Sequence, residues 1–403
     1  MSFRVAISGL KAASGDLGVI ANNVSNATTN GFKKSRAEFS DVFAVTDLGS
    51  STSTPGSGVR LAAITQQFTQ GNITFTDNNL DLAISGRGFF VVDDAGSQVY
   101  SRAGSFGVDR NGFLSNSQGK QLIAFAADSS GNITGAASPI QINTSTLPPQ
   151  ATTSMNVNLN LDAAETQPAI AFDPNNPASF SHSTSTNIID TLGNSHLASL
   201  YFRKTAVANQ WEAYTQVNGA TVSGPDTLQF STGGILTAPA GGTLTVPAFT
   251  PTGGGGAINM TINIADTTQF GSPFSVNALS QDGFATGRLS GLDIGPDGII
   301  FARFTNGQSR VEGQLALADF ANPQGLSPLS ETTWGETFSS GPVVVGSPGT
   351  SSLGLIQSGA LEDSNVEISE ELVNMIIAQR SFQANAEVIS TTDAVTQSII
   401  NLR

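Results

Sequence analysis

Apolar residues recur at alternating steps of three and four near both ends of the chain. The N-terminal line runs unbroken over three heptads, the pattern of a coiled-coil seam: Phe3, Ala6, Leu10, Ala13, Leu17, Ile20 and Val24. A C-terminal line, interrupted by polar residues, comprises Ile368, Leu372, Met375, Phe382, Ala386, Ile389 and Ile400. A second line beside it comprises Val373, Ile377, Ala384, Val388, Val395, Ile399 and Leu402. The pattern predicts two terminal helices, and the C-terminal helix has more apolar surface than one neighbouring helix covers.

Charge favours pairing of the two ends. Residues 1–36 contain five basic residues and one acidic residue, whereas residues 358–403 contain seven acidic and two basic residues. Opposite charges attract, so the two helices are expected to pack on each other. The period alone also fits ordinary terminal helices that pack on a globular core. Ser364 or Asn365, followed by Glu367, Glu370 and Glu371, is expected to start the C-terminal helix, because carboxylates interact favourably with a helix N-terminus.

Between the ends the pattern changes to short alternating runs separated by Gly, Asp, Asn and Pro. Apolar residues alternate with polar ones from Met155 to Leu161, and turn clusters lie at 93–96, 109–112 and 296–298. Such spacing is typical of successive β-hairpins. The expected fold class is therefore mainly β with α-helical termini.

Three domains are predicted from these changes of pattern. Residues 1–58 with 361–403 form a terminal helical coiled-coil assembly domain, which includes an irregular stretch at 32–43 and a Gly-, Ser- and Pro-rich linker at 49–58. Residues 59–147 with 284–360 form a first β domain, and residues 148–283 form an outer β domain inserted into it. A chain of 403 residues agrees with this division at about 150 residues per domain.

Composition excludes several classes of protein and site. Charged residues make up 12% of the chain and its net charge is −14, so it lacks the clustered Lys and Arg that general binding to nucleic acid requires. Cysteine is absent, which excludes disulfides and thiolate metal ligands. No apolar run approaches the roughly 18 residues of a membrane span, and polar residues interrupt the N-terminal apolar runs. We expect no membrane insertion and, for an exported protein, no cleaved signal peptide.

The two histidines, His182 and His196, restrict the catalytic chemistry that the chain can support. Asp190, Ser195 and His196 have the residue types of a hydrolytic triad, but Ser195 and His196 are sequence neighbours that would face opposite sides of a strand. No third nitrogen or sulfur ligand is present for zinc. The acidic turns leave calcium binding open, although none ends in a Glu at the twelfth position. We expect no catalytic residue, no cofactor and no metal site, so the chain is not expected to be an enzyme.

Motifs at both ends resemble those of the bacterial flagellar rod and hook proteins. The N-terminal motif includes Ser8-Gly9-Leu10 and Thr29 to Lys33, and the C-terminal motif includes Gly359 to Glu362 and Glu371 to Ile376. Tyr100 to Gly104 resembles part of the first β domain of this family. The signature positions that we expect to serve assembly are Asn22, Asn23, Gly31, Phe32, Gln379 and Arg380.

Length and the large inserted domain favour the hook member of this family. The resemblance implies a subunit that polymerises with copies of itself into a curved tube, which acts as a universal joint and transmits torque from rod to filament in motility. It implies contacts with the flagellar rod protein, the hook-filament junction protein and, transiently, the hook cap protein. It also implies export through the flagellar type III apparatus to the extracellular hook.

Three other functions remain open from the residues. A distal rod protein of the same family has the same terminal motifs. A secreted β-rich adhesin or glycan-binding protein would have an exposed aromatic cleft in the inserted domain. A secreted hydrolase would depend on Asp190 or His196.

Overall fold

A computed structural model describes residues 2–42, 56–128 and 130–401, without the side chains of Ser2, Thr134 and Ile399. The described chain is mainly β with a helix at each end, which confirms the predicted fold class. It divides into two compact units. Unit 1 comprises residues 1–143, 291–302 and 310–403, and unit 2 comprises residues 144–290 and 303–309. The predicted inserted domain, 148–283, lies within unit 2, and the three-domain division stays a prediction.

The two helices are α1, Ser2–Ser25, and α2, Ile368–Asn401. The strands of the first part of the chain are β1 Ser35–Asp41, β2 Val59–Gln66, β3 Ile73–Phe75, β4 Leu82–Ser85, β5 Phe89–Asp94, β6 Ser97–Ser101, β7 Phe106–Val108, β8 Leu114–Asn116, β9 Gln121–Ala127 and β10 Ile133–Pro139. The next strands are β11 Ser154–Asp162, β12 His182–Ile189, β13 Ser195–Lys204, β14 Gln210–Val217, β15 Ala220–Phe230, β16 Leu236–Ala238, β17 Thr243–Phe249, β18 Ile258–Asn263, β19 Thr268–Phe270 and β20 Ser275–Gln281. The last strands are β21 Leu289–Ile294, β22 Ile299–Phe304, β23 Ser309–Leu315, β24 Leu317–Asp319, β25 Ser327–Pro328, β26 Thr333–Gly335, β27 Val344–Gly346, β28 Leu355–Ser358 and β29 Ala360–Glu362.

Unit 1 is built around a sheet in which six strands follow one another in the order β23-β9-β5-β6-β26-β25. Its core contains aromatic rings in edge-to-face contact. Phe89 meets Trp334 at 5.7 Å between ring centroids, and Tyr100 meets Phe320 at 4.7 Å. All four side chains are buried. Two short antiparallel pairs, β28 with β4 and β29 with β3, connect the body to the segment that precedes α2.

The prediction of an irregular stretch at 32–43 is wrong for most of that range. Residues 35–41 form β1, which pairs antiparallel with β2. The sequence of residues 35–41 shows no clear alternation of apolar and polar residues. Both strands of the pair are largely exposed, and the helix α1, not a core, packs against them. Phe43 and residues 49–55 of the predicted linker lie outside the described residues.

Unit 2 contains two five-stranded sheets. In one, β12 to β16 follow one another as a meander; in the other, β11 pairs parallel with β18 and β19 and antiparallel with β20. The alternation predicted from Met155 to Leu161 is confirmed, because Met155, Val157, Leu159 and Leu161 are buried. They share one apolar core with residues of the meander such as Trp211, as expected when the inner faces of two sheets pack together.

Candidate functional site: the junction of the chain ends

Helices α1 and α2 pack against each other in antiparallel orientation. Near the end of α1, the Asn23 side-chain amide donates to Glu371 Oε2 near the start of α2, at 3.3 Å. Near the other end of the pair, Gly9 lies against the Asn385 side chain so closely that a Cβ at position 9 would collide with it. The predicted attraction between the two chain ends therefore corresponds to direct packing in unit 1.

The predicted seam residues divide by exposure. On α1, Ala6, Ala13 and Ile20 are buried, Leu10, Leu17 and Val24 are half-buried, and Phe3 is exposed. On α2, Met375, Phe382, Ala386 and Ile389 are half-buried, and Leu372 is exposed. Among the α2 side chains that the structure describes, Glu371 and Ala378 are buried, and Glu371 is the neighbour of the exposed Leu372. Whether the predicted residues form an assembly seam stays a prediction.

The second predicted apolar line of α2 is exposed to solvent at its described side chains. Its members Val373, Ile377, Val388 and Val395 are exposed, with 57% of Ile377 accessible. The Ile399 and Leu402 side chains of this line lie outside the described residues. A single chain therefore leaves on α2 an apolar strip of the kind that marks an interaction surface.

A buried ionic cluster fixes the segment after α1 to the segment before α2. The Lys33 ammonium donates to Glu362 Oε1 at 2.5 Å and to the Thr69 carbonyl at 2.8 Å. Arg102 Nη1 donates to the other carboxylate oxygen of Glu362 at 3.0 Å, and the Gly71 N–H donates to Oε1 at 2.9 Å. The side chains of Lys33 and Glu362 are fully buried, and that of Arg102 is 6% exposed. Burial lowers the pKa of Lys33, and the Glu362 carboxylate opposes that effect.

Asn23 fixes the end of α1 to the backbone of Ser35, which follows Lys33 and Lys34. Its amide donates to the Ser35 carbonyl at 2.8 Å, and its carbonyl accepts from the Ser35 N–H at 2.9 Å. The Lys34 N–H donates to Asn365 Oδ1 at 2.7 Å, and the Lys34 ammonium lies 3.3 Å from Glu370. We call the set Asn23, Lys33, Lys34, Arg102, Glu362, Asn365 and Glu371 the chain-end junction. It makes the position of both helices depend on side chains from distant parts of the sequence.

Gly31 is required by the backbone at the chain-end junction. Its φ of +71° lies in the left-handed region that glycine tolerates, and its N–H donates to the Glu362 carbonyl at 2.7 Å. A Cβ at this position would collide with the backbone of Ala103. The glycine therefore allows the chain after α1 to lie directly on the body of unit 1.

The remaining signature residues lie away from this ionic cluster. Asn22 and Phe32 line a groove of about 390 Å³, together with residues such as Leu329 and Trp334 of the body. Gln379 and Arg380 are exposed on α2. Their role in assembly stays a prediction, as does that of Asn22 and Phe32.

In unit 2, Asp190, Ser195 and His196 lie on the β12–β13 hairpin. Ser195 is exposed, whereas His196 is buried with its Nε2 at 3.0 Å from Asp190 Oδ2. His196 Nδ1 lies 2.8 Å from the Asn218 amide, which assigns the ring proton to Nε2. Burial raises the pKa of Asp190, but hydrogen bonds from His196, Asn194 and Leu192 outweigh burial and hold this pKa well below its usual range. The arrangement closes a turn and keeps the serine away from the histidine.

Aromatic side chains of unit 2 pack on one another. The Phe172 and Tyr214 rings stack at 3.8 Å, and Tyr201 meets Phe172 at 5.5 Å and Phe180 at 4.8 Å. All four residues are half-buried. The stack covers one face of the Phe172 ring and one face of the Tyr214 ring, and the contacts of Tyr201 are edge-to-face.

Within residues 2–42, 56–128 and 130–401, no three Asp, Glu or His side chains are grouped so as to hold a metal ion. Neither helix, over its described residues, is long and apolar enough to cross a membrane.

Four family models match successive parts of the chain. Residues 3–33 match the flagella basal body rod protein model, and residues 83–160 match the flagellar hook protein FlgE/F/G D1 domain. Residues 158–284 match the flagellar basal body protein FlaE D2 domain, and residues 357–402 match the C-terminal model of the flagellar basal body rod FlgEFG proteins. The two terminal models thus contain Lys33 and Glu362 of the chain-end junction.

Relatives match over the whole chain. The flagellar hook protein FlgE of Escherichia coli (strain K12) is 39% identical, with 100% of both chains covered. FlgE of Salmonella typhimurium is 38% identical with the same coverage. The crystal structure of Helicobacter pylori flagellar hook protein FlgE2 has the same fold over 72% of this chain and 100% of its own, with a TM-score of 0.54 at 15% identity. The chain belongs to the flagellar hook protein FlgE family.

Proposed function

We propose that this protein is the structural subunit of a bacterial flagellar hook and assembles with copies of itself into a tube. The observation that carries the proposal is the uncovered apolar strip on α2 in a member of the FlgE family. Burial of apolar surface is the main favourable term in protein association, so copies that cover this strip gain stability from it. Each copy would repeat the same contact along the polymer.

The chain-end junction supports a mechanical role for the paired helices. Its buried carboxylate binds two cations and a backbone N–H, so the helices are held on the body of unit 1 by contacts inaccessible to water. We propose that the helix pairs form a continuous inner tube and that the β portions lie outside it. The tube is proposed to curve and to act as a universal joint that transmits torque from rod to filament.

Partners and location follow from this proposal. The ends of the tube would contact the flagellar rod protein and the hook-filament junction protein, and a hook cap protein would bind transiently during growth. Export would use the flagellar type III apparatus without a cleaved signal peptide, which places the tube outside the cell.

The proposal is tested by polymerisation of the purified full-length chain. Concentrated protein is sedimented, and the pellet is examined by negative-stain electron microscopy. We expect curved tubes with one repeating subunit. Straight tubes would favour the distal rod function, and a protein that stays monomeric at all concentrations would contradict self-assembly.

A further inference from the structure

His182 connects the two sheets of unit 2. It is the first residue of β12, the strand at one end of the meander order. Its ring stacks on Phe274, which immediately precedes β20 of the other sheet, with 4.5 Å between the ring centroids and 9° between the ring planes. The ring also meets Trp211 of the shared core at 5.9 Å. His182 is therefore packed between its own strand, the other sheet and the core.

One nitrogen of the His182 ring is buried without a hydrogen-bond partner. This nitrogen, Nε2, has no partner within hydrogen-bond distance among the described residues. Glu165 Oε2 lies 3.7 Å from it, which is too far for a hydrogen bond. The His182 side chain is 16% exposed, so little water reaches the ring. Because an imidazolium donates from both nitrogens, protonation in this position would create a buried donor without an acceptor.

Charged side chains lie close to the His182 ring. Asp162 ends β11, and Glu165 lies in the turn after it, where its N–H donates to the Asp162 carbonyl at 3.2 Å. Both carboxylates attract a positive charge on His182. They also attract the Lys204 ammonium, which lies 4.8 Å from the centre of the Trp211 ring. A proton on His182 would therefore share these carboxylates with Lys204, and water screens Glu165, whose side chain is 33% exposed.

Among the described residues, the neighbouring strands add no further charge that faces the ring. β12 and residues 271–281 contain no Asp, Glu, Lys or Arg. Arg203 of β13 and Glu212 of β14 pair with each other at 3.1 Å and alternate along their strands with residues that face the core, so they lie on the opposite side of the meander. Burial is the strongest influence on the pKa of His182 and lowers it, while the neighbouring carboxylates oppose this effect. The neutral ring is thus the form that fits the folded unit.

We propose that His182 is an acid-released clasp that holds the start of β12 against the other sheet of unit 2. Protonation places a charge in the contact with Phe274 and Trp211. A buried charge without a hydrogen-bonded partner is strongly unfavourable, so the charged ring moves out to solvent. The start of β12 then loses its contact with Phe274 and opens, while the pairing with β13 holds the rest of the strand. The device works within a single chain and does not depend on the proposed function.

The first test measures the titration of His182 by NMR in the full-length protein, at a concentration at which it is monomeric. The chain contains two histidines, so carbon-13-labelled histidine gives two imidazole signals, and the spectrum of His182→Gln identifies the signal of His196. The His182 signal should titrate with a midpoint below about pH 6.5, the usual pKa of histidine. Glu165→Gln should move this midpoint further down, because an attracting charge is lost. A midpoint at or above about pH 6.5, or one that Glu165→Gln raises, would overturn the proposal.

The second test measures opening of β12 by hydrogen–deuterium exchange at about pH 7.5 and about pH 5.5, corrected for the intrinsic exchange rate. A folded pKa below the unfolded value means that the contribution of His182 to stability is present above about pH 6.5 and is lost as pH falls below it. Peptides that contain the Ser181 N–H, which donates to the Phe202 carbonyl at 2.9 Å, should therefore lose protection at the lower pH. Peptides of β5 in unit 1 should keep theirs.

The matched control is His182→Phe, which keeps an aromatic ring against Phe274 and cannot be protonated. Its β12 peptides should be equally protected at both pH values. His182→Gln, which also cannot be protonated, serves the same comparison if the phenylalanine variant does not fold. An equal loss of protection in the unmodified protein and in the folded variant, or no loss in the unmodified protein, would overturn the proposal.

Discussion

Replacement of Glu362 by Gln tests whether the chain-end junction stabilises unit 1. The substitution keeps the side-chain shape but removes the negative charge that binds Lys33 and Arg102. Both cations then stay in a region almost closed to water. Because burial of an unpaired charge is strongly unfavourable, the substitution should destabilise unit 1 far more than the loss of an exposed ion pair.

The magnitude follows from the burial of the three side chains. Lys33 and Glu362 are 0% exposed and Arg102 is 6% exposed, so the cost is that of breaking a buried pair, about 3–5 kcal/mol. With a urea m-value of about 2.5–3 kcal/mol per M, the unfolding midpoint of unit 1 should fall by about 1–2 M. The matched control is Glu370→Gln. The Glu370 side chain is 54% exposed beside Lys34, and its loss should cost less than about 1 kcal/mol.

The assay uses the two tryptophans, which lie in different units. Trp334 belongs to unit 1 and Trp211 to unit 2, so urea unfolding of unit 1 is followed by fluorescence in a Trp211→Phe background. Lys33→Met with Glu362→Gln should cost less than the sum of the two single substitutions, because they share one contact. A midpoint for Glu362→Gln equal to that of the Glu370→Gln control, or strict additivity of the pair, would refute the reasoning.

Three further substitutions test other parts of the molecule. Gly31→Ala should lower the free energy of unfolding of unit 1 in urea by at least about 2 kcal/mol more than Gly119→Ala does. Both glycines have positive φ, but a Cβ at Gly119 meets open space. Equal losses of stability would exclude the collision with Ala103. Asp190 has a folded pKa below its unfolded value of about 3.9, so its contribution to stability is present above about pH 4 and is lost as pH falls further. Asp190→Asn should therefore reduce the loss of unit 2 stability between pH 7 and pH 3, measured by Trp211 fluorescence, and an unchanged loss would contradict this. Leu372→Asp should leave the thermal transition unchanged because Leu372 is 47% exposed, yet abolish tubes in sedimentation; normal tube yield would remove Leu372 from the seam.

Local patterns predicted those helices and strands in which the apolar residues of the element itself mark its buried side. The three-four alternation of α1 and the period-two alternation of β11 each identify a helix or strand with one covered side. The hairpin of β5 and β6 also followed from its turn residues at 93–96. In these cases the apolar residues themselves determine which side is buried.

The chain-end junction could not be predicted in the same way. Lys33, Arg102 and Glu362 occur within the motifs that carried the family resemblance, but a motif does not show which charges pair across hundreds of residues. On α2, Glu371 is buried while Leu372 is exposed, because Asn23 and Lys34 bind the carboxylate. A pattern based on hydrophobicity therefore included the exposed Leu372 and left out the buried Glu371. The sequence did contain one indication of these buried charges, because each motif places a charged residue next to a small or apolar one.

The contacts of Glu362 do not depend on the length of unit 2. Lys33, Arg102 and Glu362 lie outside residues 144–290, which belong to unit 2. Each doubling of a connecting segment adds only about 0.6 kcal/mol of closure entropy. Residues can thus be gained or lost between Arg102 and Glu362 while the contacts that hold the helices stay the same. A change in the sequence or length of unit 2 therefore leaves in place the three side chains, Lys33, Arg102 and Glu362, that hold the two chain ends together.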